Sequence, residues 1–458
     1  MPYLKLYCII HLKYRPEPAI ISHGDDIMEI KRDTYLEKLK LRRKNGMIKV
    51  ITGIRRCGKS YLMNEIFYNY LLSEGVQDDH IIRFAFDSAE DLTKIGENLL
   101  ELYETGRKAD PAKFMDYINT RISDKSDYTL LLDEVQLLAG FEAVLNGYLR
   151  KKNLDIYVTG SNSKFLSSDI ITEFEGRGDE IHVMPLSFSE YMGVFDGSIE
   201  EGFDDYSVYG GLPAVALMKT GNQKTTYLDT QMRNVYLRDI VNRYHLQSNE
   251  NIGEVVDILA SGISSLINPK RISDTFRSKK KTAIAPDTVK KYISYMEDAF
   301  MIRCVKRFDV KGRHLIDTPY KVYFEDIGLR NARLEFRQLE QTHIMENIIY
   351  NELRYRGFSV NVGTVEIRET GTDGKEIKKQ AEIDFIAVEG GKKYYIQSAY
   401  EISGHDKWVQ ETRGFDKTGD SFKKIVVVDR SMKPRRDEKG YVTIGIREFL
   451  LNPESMDL

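Results

Sequence analysis

The sequence is poor in cysteine and tryptophan, and it has no long apolar run. It contains three cysteines in 458 residues, Cys8, Cys57 and Cys304, whose separation fits neither a disulfide framework nor a metal-ligand spacing. No apolar stretch approaches the roughly 18 residues that span a bilayer. Acidic residues (70) and basic residues (67) nearly balance, which excludes a uniformly basic coat for nucleic acid. We therefore expect a cytoplasmic protein with no membrane partner.

A glycine-rich motif lies near the start of the chain. Residues 53–60 read Gly-Ile-Arg-Arg-Cys-Gly-Lys-Ser, the pattern G-x-x-x-x-G-K-S, directly after the apolar run 48–51. Apolar residues then recur at the spacing of one helix face. The glycines let backbone N–H groups turn towards phosphates, and the start of the helix adds the positive end of its dipole. The pattern predicts a nucleotide-phosphate site in a strand–loop–helix unit.

The side chains of this motif have distinct chemical roles. Lys59 can reach the β- and γ-phosphates, and the hydroxyl of Ser60 can ligate Mg²⁺. Cys57 lies among basic residues that favour a thiolate, so we expect a lowered pKa and loss of ATP binding on alkylation. The alternative is a buried, inert thiol. The residues expected to contact the nucleotide are Gly53, Ile54, Arg55, Arg56, Cys57, Gly58, Lys59, Ser60 and Tyr61.

A second motif follows roughly 70 residues later, where an apolar run ends in two carboxylates. Residues 128–132 predict a buried parallel strand, and Asp133 and Glu134 then emerge at the carboxyl edge of the sheet, as the glycine-rich loop does. Asp133 is expected to complete the Mg²⁺ shell. Glu134 is expected to orient and deprotonate the attacking water.

Two weaker candidates lie beyond this motif. The next predicted strand ends in Thr-Gly-Ser-Asn, which would bring Ser161 or Asn162 near the γ-phosphate as a polar sensor of hydrolysis. The same four residues are also ordinary turn formers. Arg177 stands between two glycines, and we predict that it reaches a nucleotide on its own chain or on a neighbouring one, as an arginine finger.

Taken together, these motifs resemble those of prokaryotic AAA-type ATPases that carry a winged-helix segment and a C-terminal restriction-endonuclease-like domain of unknown function. The resemblance implies an α/β P-loop fold and the binding and hydrolysis of ATP with Mg²⁺. It implies no defined physiological role. The segments that carry it are residues 53–60, 130–134, 159–162, 176–177, 185–191, 209–213 and 323–329.

The middle of the chain is predicted to be helical and to bind DNA through a winged helix. One helix is expected over 252–267 and another from Pro286, with Asp287 as its N-cap. Between residues 270 and 291 there are eight basic residues and two acidic ones, which suits contact with the phosphate backbone. The alternative is a solvated loop on a domain that only packs against its neighbours.

The C-terminal part resembles a nuclease core with an incomplete set of catalytic groups. Such nucleases use a helix Glu, a strand Asp and a Glu-x-Lys on the next strand, because carboxylates hold Mg²⁺ while Lys offsets charge on the phosphate. The predicted helix carries Glu346 and Glu352, and Asp384 fits the strand position. Gln397 and Ala399 stand where Glu and Lys are expected. We predict a structural or DNA-binding domain without nuclease activity.

These predictions divide the chain into a peripheral extension (1–27), an AAA-type P-loop ATPase domain (28–200), a helical and winged-helix domain (201–329) and a restriction-endonuclease-like α/β domain (330–458). The predicted function is Mg²⁺-dependent ATP hydrolysis. Two alternatives remain open, an ATP-binding switch with little turnover and an ATP-gated DNA nuclease. The expected ligands are ATP and Mg²⁺, and DNA or a second copy of the chain are the candidate partners.

Overall fold

A computed structural model describes residues 30–160, 174, 176–246, 249–280, 284–370 and 376–457. Two β-sheets organise these residues, one of five strands and one of nine. The predicted extension 1–27 lies outside the described residues.

The first sheet is entirely parallel and has the order β2-β3-β4-β1-β5. All residues of β1 and β3 are buried, as expected for strands covered on both faces by helices. Because every strand points the same way, the loops after β1, β3 and β4 meet at one edge. The strands are β1 (Ile48–Thr52), β2 (Ile81–Ala85), β3 (Tyr128–Asp133), β4 (Leu154–Thr159) and β5 (Gly178–His182).

Helices cover both faces of this sheet and enclose an apolar core on each. A π-helical turn, Leu62–Phe67, joins the two helices that follow the glycine-rich loop. The parallel sheet and its helices confirm the predicted α/β class. The helices are α1 (Asp33–Leu41), α2 (Lys59–Tyr61), α3 (Tyr68–Ser73), α4 (Ala89–Lys94), α5 (Leu99–Thr105), α6 (Pro111–Arg121) and α7 (Phe141–Tyr148).

The middle of the chain is mainly helical, with two departures from the prediction. The helix expected over 252–267 ends earlier, and its last residues form strand β6 (Leu266–Ile267). Asp287 is not an N-cap, because Pro286 takes the first helical position, where its fixed φ is favourable. The helices are α8 (Phe188–Met192), α9 (Ile199–Tyr209), α10 (Pro213–Ala216), α11 (Gly221–Thr230), α12 (Arg238–Arg243), α13 (Asn249–Ser261), α14 (Pro269–Lys280), α15 (Pro286–Asp298) and α16 (Ile327–Arg333).

The second sheet has the order β13-β14-β12-β11-β10-β9-β7-β8-β6. It includes β7 and β8, the two strands that follow the helix starting at Pro286 and correspond to the wing of the predicted winged helix. Strand β7 pairs in parallel with β9, with Arg307 opposite Val362. The sheet therefore continues across the border predicted at residues 329 and 330. Its further strands are β7 (Ile302–Asp309), β8 (His314–Phe324), β9 (Ser359–Thr370), β10 (Glu376–Glu389), β11 (Lys392–Ala399), β12 (Lys423–Val428), β13 (Arg435–Arg436) and β14 (Val442–Gly445).

Three helices accompany this sheet, α17 (Gln341–Tyr355), α18 (His405–Thr412) and α19 (Ile446–Leu451). The two residues after β8 hold the second sheet to the first part of the chain. The carboxylate of Glu325 hydrogen-bonds His182 of β5, and Asp326 accepts from the backbone N–H of Gly211 at 2.8 Å. The end of β8 is thus tied to both the first sheet and the loop before α10.

Candidate functional site

The glycine-rich loop follows β1 and needs glycine at two positions. Gly53 has φ +139°, and a Cβ there would lie 2.1 Å from the carbonyl oxygen of Val183. Gly58 has φ +98° and precedes helix α2 as its N-cap. Both conformations disfavour residues with a side chain. The loop therefore takes the form that a phosphate cradle requires.

Lys59 is the first residue of α2 and is 6% exposed. Its Nζ donates to the carbonyl oxygens of Gly53 and Ile54, both at 3.0 Å. The ammonium thus lies inside the loop and is bonded to the loop's own backbone. Any phosphate that Lys59 binds must compete with these two carbonyls.

Asp133 ends β3 directly beside the start of α2, and 7% of it is exposed. The hydroxyls of Thr159 and Ser60 both donate to its carboxylate. Burial raises the pKa of Asp133 to about 6, the charge of Glu134 acts in the same direction, and the two hydroxyls oppose the shift. The predicted metal ligands Ser60 and Asp133 are therefore brought together.

Glu134 follows in a left-handed conformation with φ +52°, which is uncommon for a residue other than glycine. Its backbone N–H donates to Thr159 Oγ1 at 3.3 Å, and its carboxylate accepts from the side-chain amide of Gln136. Strained backbone of this kind concentrates at functional sites. The carboxylate is held beside the loop by a partner two residues away.

The side chains of Arg55 and Arg56, both in the glycine-rich loop, contact residues from the middle of the chain. Arg55 forms an ion pair with Asp239 of α12, and the carbonyl oxygen of Arg55 accepts from the hydroxyl of Tyr236 at 2.6 Å. Arg56 donates to the hydroxyl of Tyr227 in α11 at 3.3 Å. These contacts couple the glycine-rich loop to the segment 221–243. Tyr61 closes helix α2.

The lowered pKa predicted for Cys57 is wrong. Its side chain is fully buried, and Sγ donates to the carbonyl oxygen of Val183 at 3.1 Å. Burial raises the pKa of the thiol above its ordinary value, although the charges of Lys59 and Arg32 oppose this. The neighbouring basic residues favour the thiolate, as expected, but desolvation has the larger effect. Burial and the raised pKa support the alternative of a buried, inert thiol.

Cys57 is accordingly expected to react slowly with a thiol reagent. In a chain carrying Cys8→Ser and Cys304→Ser, labelling of the remaining thiol should become fast only in denaturant, since burial removes both access and thiolate. The measurement is the time course of labelling with a chromogenic disulfide, with and without ATP and Mg²⁺. Rapid labelling of the folded chain that nucleotide prevents would restore the original hypothesis.

The weaker candidates have different outcomes. Ser161 and Asn162 lie outside the described residues, so their sensor role stays a prediction. Arg177 is exposed, and its carbonyl oxygen accepts from the N–H of Ile48 at 2.9 Å, at the amino end of β1. The glycine-rich loop leaves the opposite end of that strand. This position disfavours action on a nucleotide of the same chain, and action on a neighbouring chain stays a prediction.

The residues present fit a magnesium–nucleotide pair. The loop offers backbone donors at the start of a helix, a buried ammonium and a conformation that a Cβ would block. Ser60 and Asp133 supply the hard oxygen ligands that Mg²⁺ prefers. Glu134 adds a second carboxylate next to Asp133. It accepts a hydrogen bond from Gln136.

Sequence reasoning missed two groups of residues in this site. Thr159 and Gln136 orient the carboxylates, and the signal for Thr159 was its place at the end of a strand adjacent to β3. Asp239, Tyr236 and Tyr227 come from helices far along the chain, and no local pattern marks them.

Comparison with known proteins supports an AAA-type domain in the first half of the chain. A family model described as an AAA domain matches residues 45–192, and a model of a domain of unknown function matches residues 200–340. The winged-helix and nuclease-like interpretations are not tested by these matches and stay predictions. Among the described residues, no helix is long and apolar enough to cross a bilayer.

Two uncharacterized proteins are similar along most of the chain. One from Methanocaldococcus jannaschii is 25% identical over 386 residues, which cover 81% of this chain and 78% of that protein. The structure of the Aeropyrum pernix ORC2 protein, in ADPNP and ADP complexes, is 12% identical with a TM-score of 0.37, and the match covers 63% of this chain and 91% of that one. An uncharacterized protein of Haemophilus influenzae is 30% identical over 428 residues, which cover 92% of this chain and 98% of that protein. The chain therefore belongs to the same family as the Haemophilus influenzae protein, and its residues 45–192 form an AAA domain.

Proposed function

We propose that this protein binds ATP with Mg²⁺ at the glycine-rich loop and hydrolyses it to ADP and phosphate. The observation that carries the proposal is the hydrogen-bonded set of Ser60, Asp133 and Thr159, with Glu134 next to it at the same edge of the sheet. A phosphate cradle, two metal ligands and a carboxylate base are the groups that this reaction needs. The residues proposed for these roles are close together, although they follow or end three different strands, β1, β3 and β4.

In this mechanism Lys59 exchanges its bonds to the carbonyls of Gly53 and Ile54 for bonds to the β- and γ-phosphates. Ser60 and Asp133 would hold Mg²⁺, whose positive charge would offset the negative charge that develops on the phosphate oxygens. Glu134 accepts the proton of the attacking water. Gln136 donates to one oxygen of the Glu134 carboxylate and so helps to fix its orientation.

The test is steady-state phosphate release by the full chain, with and without duplex DNA. Release that requires Mg²⁺ and is lost in Lys59→Ala is expected, since the ammonium contacts the phosphates directly. The matched control is Lys151→Ala, because that side chain is exposed and far along the chain from the loop. Equal release by Lys59→Ala and the parental chain would contradict the proposal.

A nucleotide-dependent switch with little turnover is the second candidate. It is favoured by the contacts of the glycine-rich loop with the segment 221–243, such as the ion pair of Arg55 with Asp239, through which a bound nucleotide would act on that segment. A switch would bind a fluorescent ATP analogue tightly and release phosphate no faster than Lys59→Ala does. The same two measurements on the parental chain separate the candidates.

We further propose DNA as a partner of the region around α14 and α15. The two helices pack against each other, and the basic side chains of Lys270, Arg271, Lys290 and Lys291 are all exposed. Clustered exposed cations bind the phosphate backbone through release of counterions. In this interpretation the helices contact duplex DNA without sequence readout.

Charge reversal of these four residues to Glu is expected to weaken binding of duplex DNA by about tenfold or more, and to flatten its dependence on salt. The measurement is fluorescence anisotropy of a labelled duplex over a range of salt concentrations. The matched control reverses two exposed lysines of the AAA domain, Lys151 and Lys152. If both variants bind like the parental chain, the region around α14 and α15 is not the DNA-binding surface.

A further inference from the structure

One lysine lies among three carboxylates in the C-terminal part of the chain. Lys321, on β8, is nearly fully buried. Its Nζ lies 2.9 Å from Glu346 of α17, 2.6 Å from Glu382 of β10 and 3.4 Å from Asp384 of the same strand. The hydroxyl of Tyr323 donates to Glu346 at 2.7 Å. An ammonium therefore occupies the space between the carboxylates of a helix and a strand.

Two of these carboxylates are the ones that the nuclease-like pattern predicted, and its lysine is absent at position 399. The cation beside Glu346 and Asp384 comes instead from a strand that precedes α17 in the chain. Mg²⁺ binds carboxylate oxygens at about 2.1 Å and keeps much of its water, so it needs the space that this ammonium fills. Among the residues the structure describes, no group of three or more His, Cys, Asp or Glu is arranged to hold a metal.

We propose that the ammonium of Lys321 takes the place of a divalent cation between Glu346, Glu382 and Asp384, so that the C-terminal domain needs no metal and does not cut DNA. The geometry is supported by a further bond, since the backbone N–H of Ser398 donates to Asp384 at 2.9 Å. Both oxygens of the Asp384 carboxyl therefore have partners within the protein.

Charge within the cluster points the same way. Burial raises the pKa of Asp384 to about 8, the charge of Glu346 adds to this, and Lys321 opposes it. Lys321 is therefore the group that offsets the negative charge of this buried cluster.

The lysine of the cluster lies on β8, the strand whose end contacts the AAA domain. Four residues after Lys321, Glu325 hydrogen-bonds His182 of β5, and Asp326 holds the loop at Gly211. The ion pairs of Lys321 connect β8 to α17 and β10 shortly before the two residues that make these contacts. Lys321 thus joins α17 and β10 to the strand whose end contacts β5 and the loop before α10.

The test is binding of Mn²⁺ alone to the full chain, measured by equilibrium dialysis without nucleotide. Asp384→Asn is expected to bind as much Mn²⁺ as the parental chain, because weak binding near Ser60 and Asp133 is common to both. Loss of one Mn²⁺ per chain in Asp384→Asn would overturn the proposal. Cleavage of DNA with Mn²⁺ that disappears in Asp384→Asn would do so as well.

Removal of the ammonium gives the reverse expectation. Lys321→Ala should gain about one Mn²⁺ per chain by opening the space between three carboxylates, and Lys321→Ala with Asp384→Asn should lose it again. A folded Lys321→Ala chain that gains no Mn²⁺ would show that the ammonium does not exclude the metal. Should this variant not fold, the comparison of the parental chain with Asp384→Asn decides alone.

Discussion

Glu134→Gln is expected to lower steady-state phosphate release by about 10²-fold or more while ATP binding stays nearly intact. Glutamine keeps the shape of the side chain and its contact distance to Gln136, but it cannot accept a proton from water. The left-handed backbone at this position is unchanged by the substitution. The measurements are phosphate release at saturating ATP and titration with a fluorescent ATP analogue.

The matched control for this prediction is Glu104→Gln, which neutralises an exposed carboxylate in α5. It should release phosphate at the parental rate. Parental turnover in Glu134→Gln would assign the water-activating role to another residue. Loss of ATP binding in Glu134→Gln would instead mean that the residue supports the loop rather than the reaction.

Lys321→Met is expected to lower the free energy of unfolding of the C-terminal part by about 3–5 kcal/mol. The substitution removes the cation between Glu346, Glu382 and Asp384 and leaves the three carboxyl groups without their common partner. Methionine fills most of the volume of lysine, so the cost is electrostatic rather than a cavity. The measurement is urea unfolding at pH 7, followed by far-UV circular dichroism.

Two further variants identify the cause of this loss. Lys306→Met, which removes an exposed ammonium paired with Asp317, should change stability by less than about 0.5 kcal/mol. Adding Glu346→Gln to Lys321→Met should recover part of the loss, because one of the uncompensated charges is then gone. Unfolding of Lys321→Met at the parental urea concentration would mean that the cluster contributes nothing to stability.

The sequence was sufficient to predict the AAA part of the site because its signals are local. Residues 53–60 carry the loop, its glycines and the start of the helix in one stretch, and Asp133 and Glu134 end a strand that its apolar run predicts. The edge at which they meet follows from the parallel direction of the strands. The two predicted metal ligands, Ser60 and Asp133, could therefore be placed together without knowledge of the sheet order.

The errors have a common origin in contacts between distant segments. The pKa of Cys57 was predicted from its basic neighbours in sequence. Its thiol is in fact buried, and it donates to the carbonyl oxygen of Val183, 126 residues away. At position 399 the sequence has alanine where the nuclease-like pattern expects a lysine, and that interpretation stays a prediction. The lysine that fills the cluster is on β8, at Lys321, where no motif predicts it. Desolvation and pairing of this kind depend on tertiary packing, which a pattern of residues does not encode.

The continuous second sheet has a practical consequence for anyone who divides this chain into pieces. A cut between residues 329 and 330 separates β7 from its parallel partner β9, and each fragment then presents an unpaired strand edge to solvent. Exposed edges recruit other strands, so the fragments would tend to aggregate whether or not they carry an activity. Deletion analysis at this border would report on solubility, and point substitutions in the intact chain are the sounder route to function.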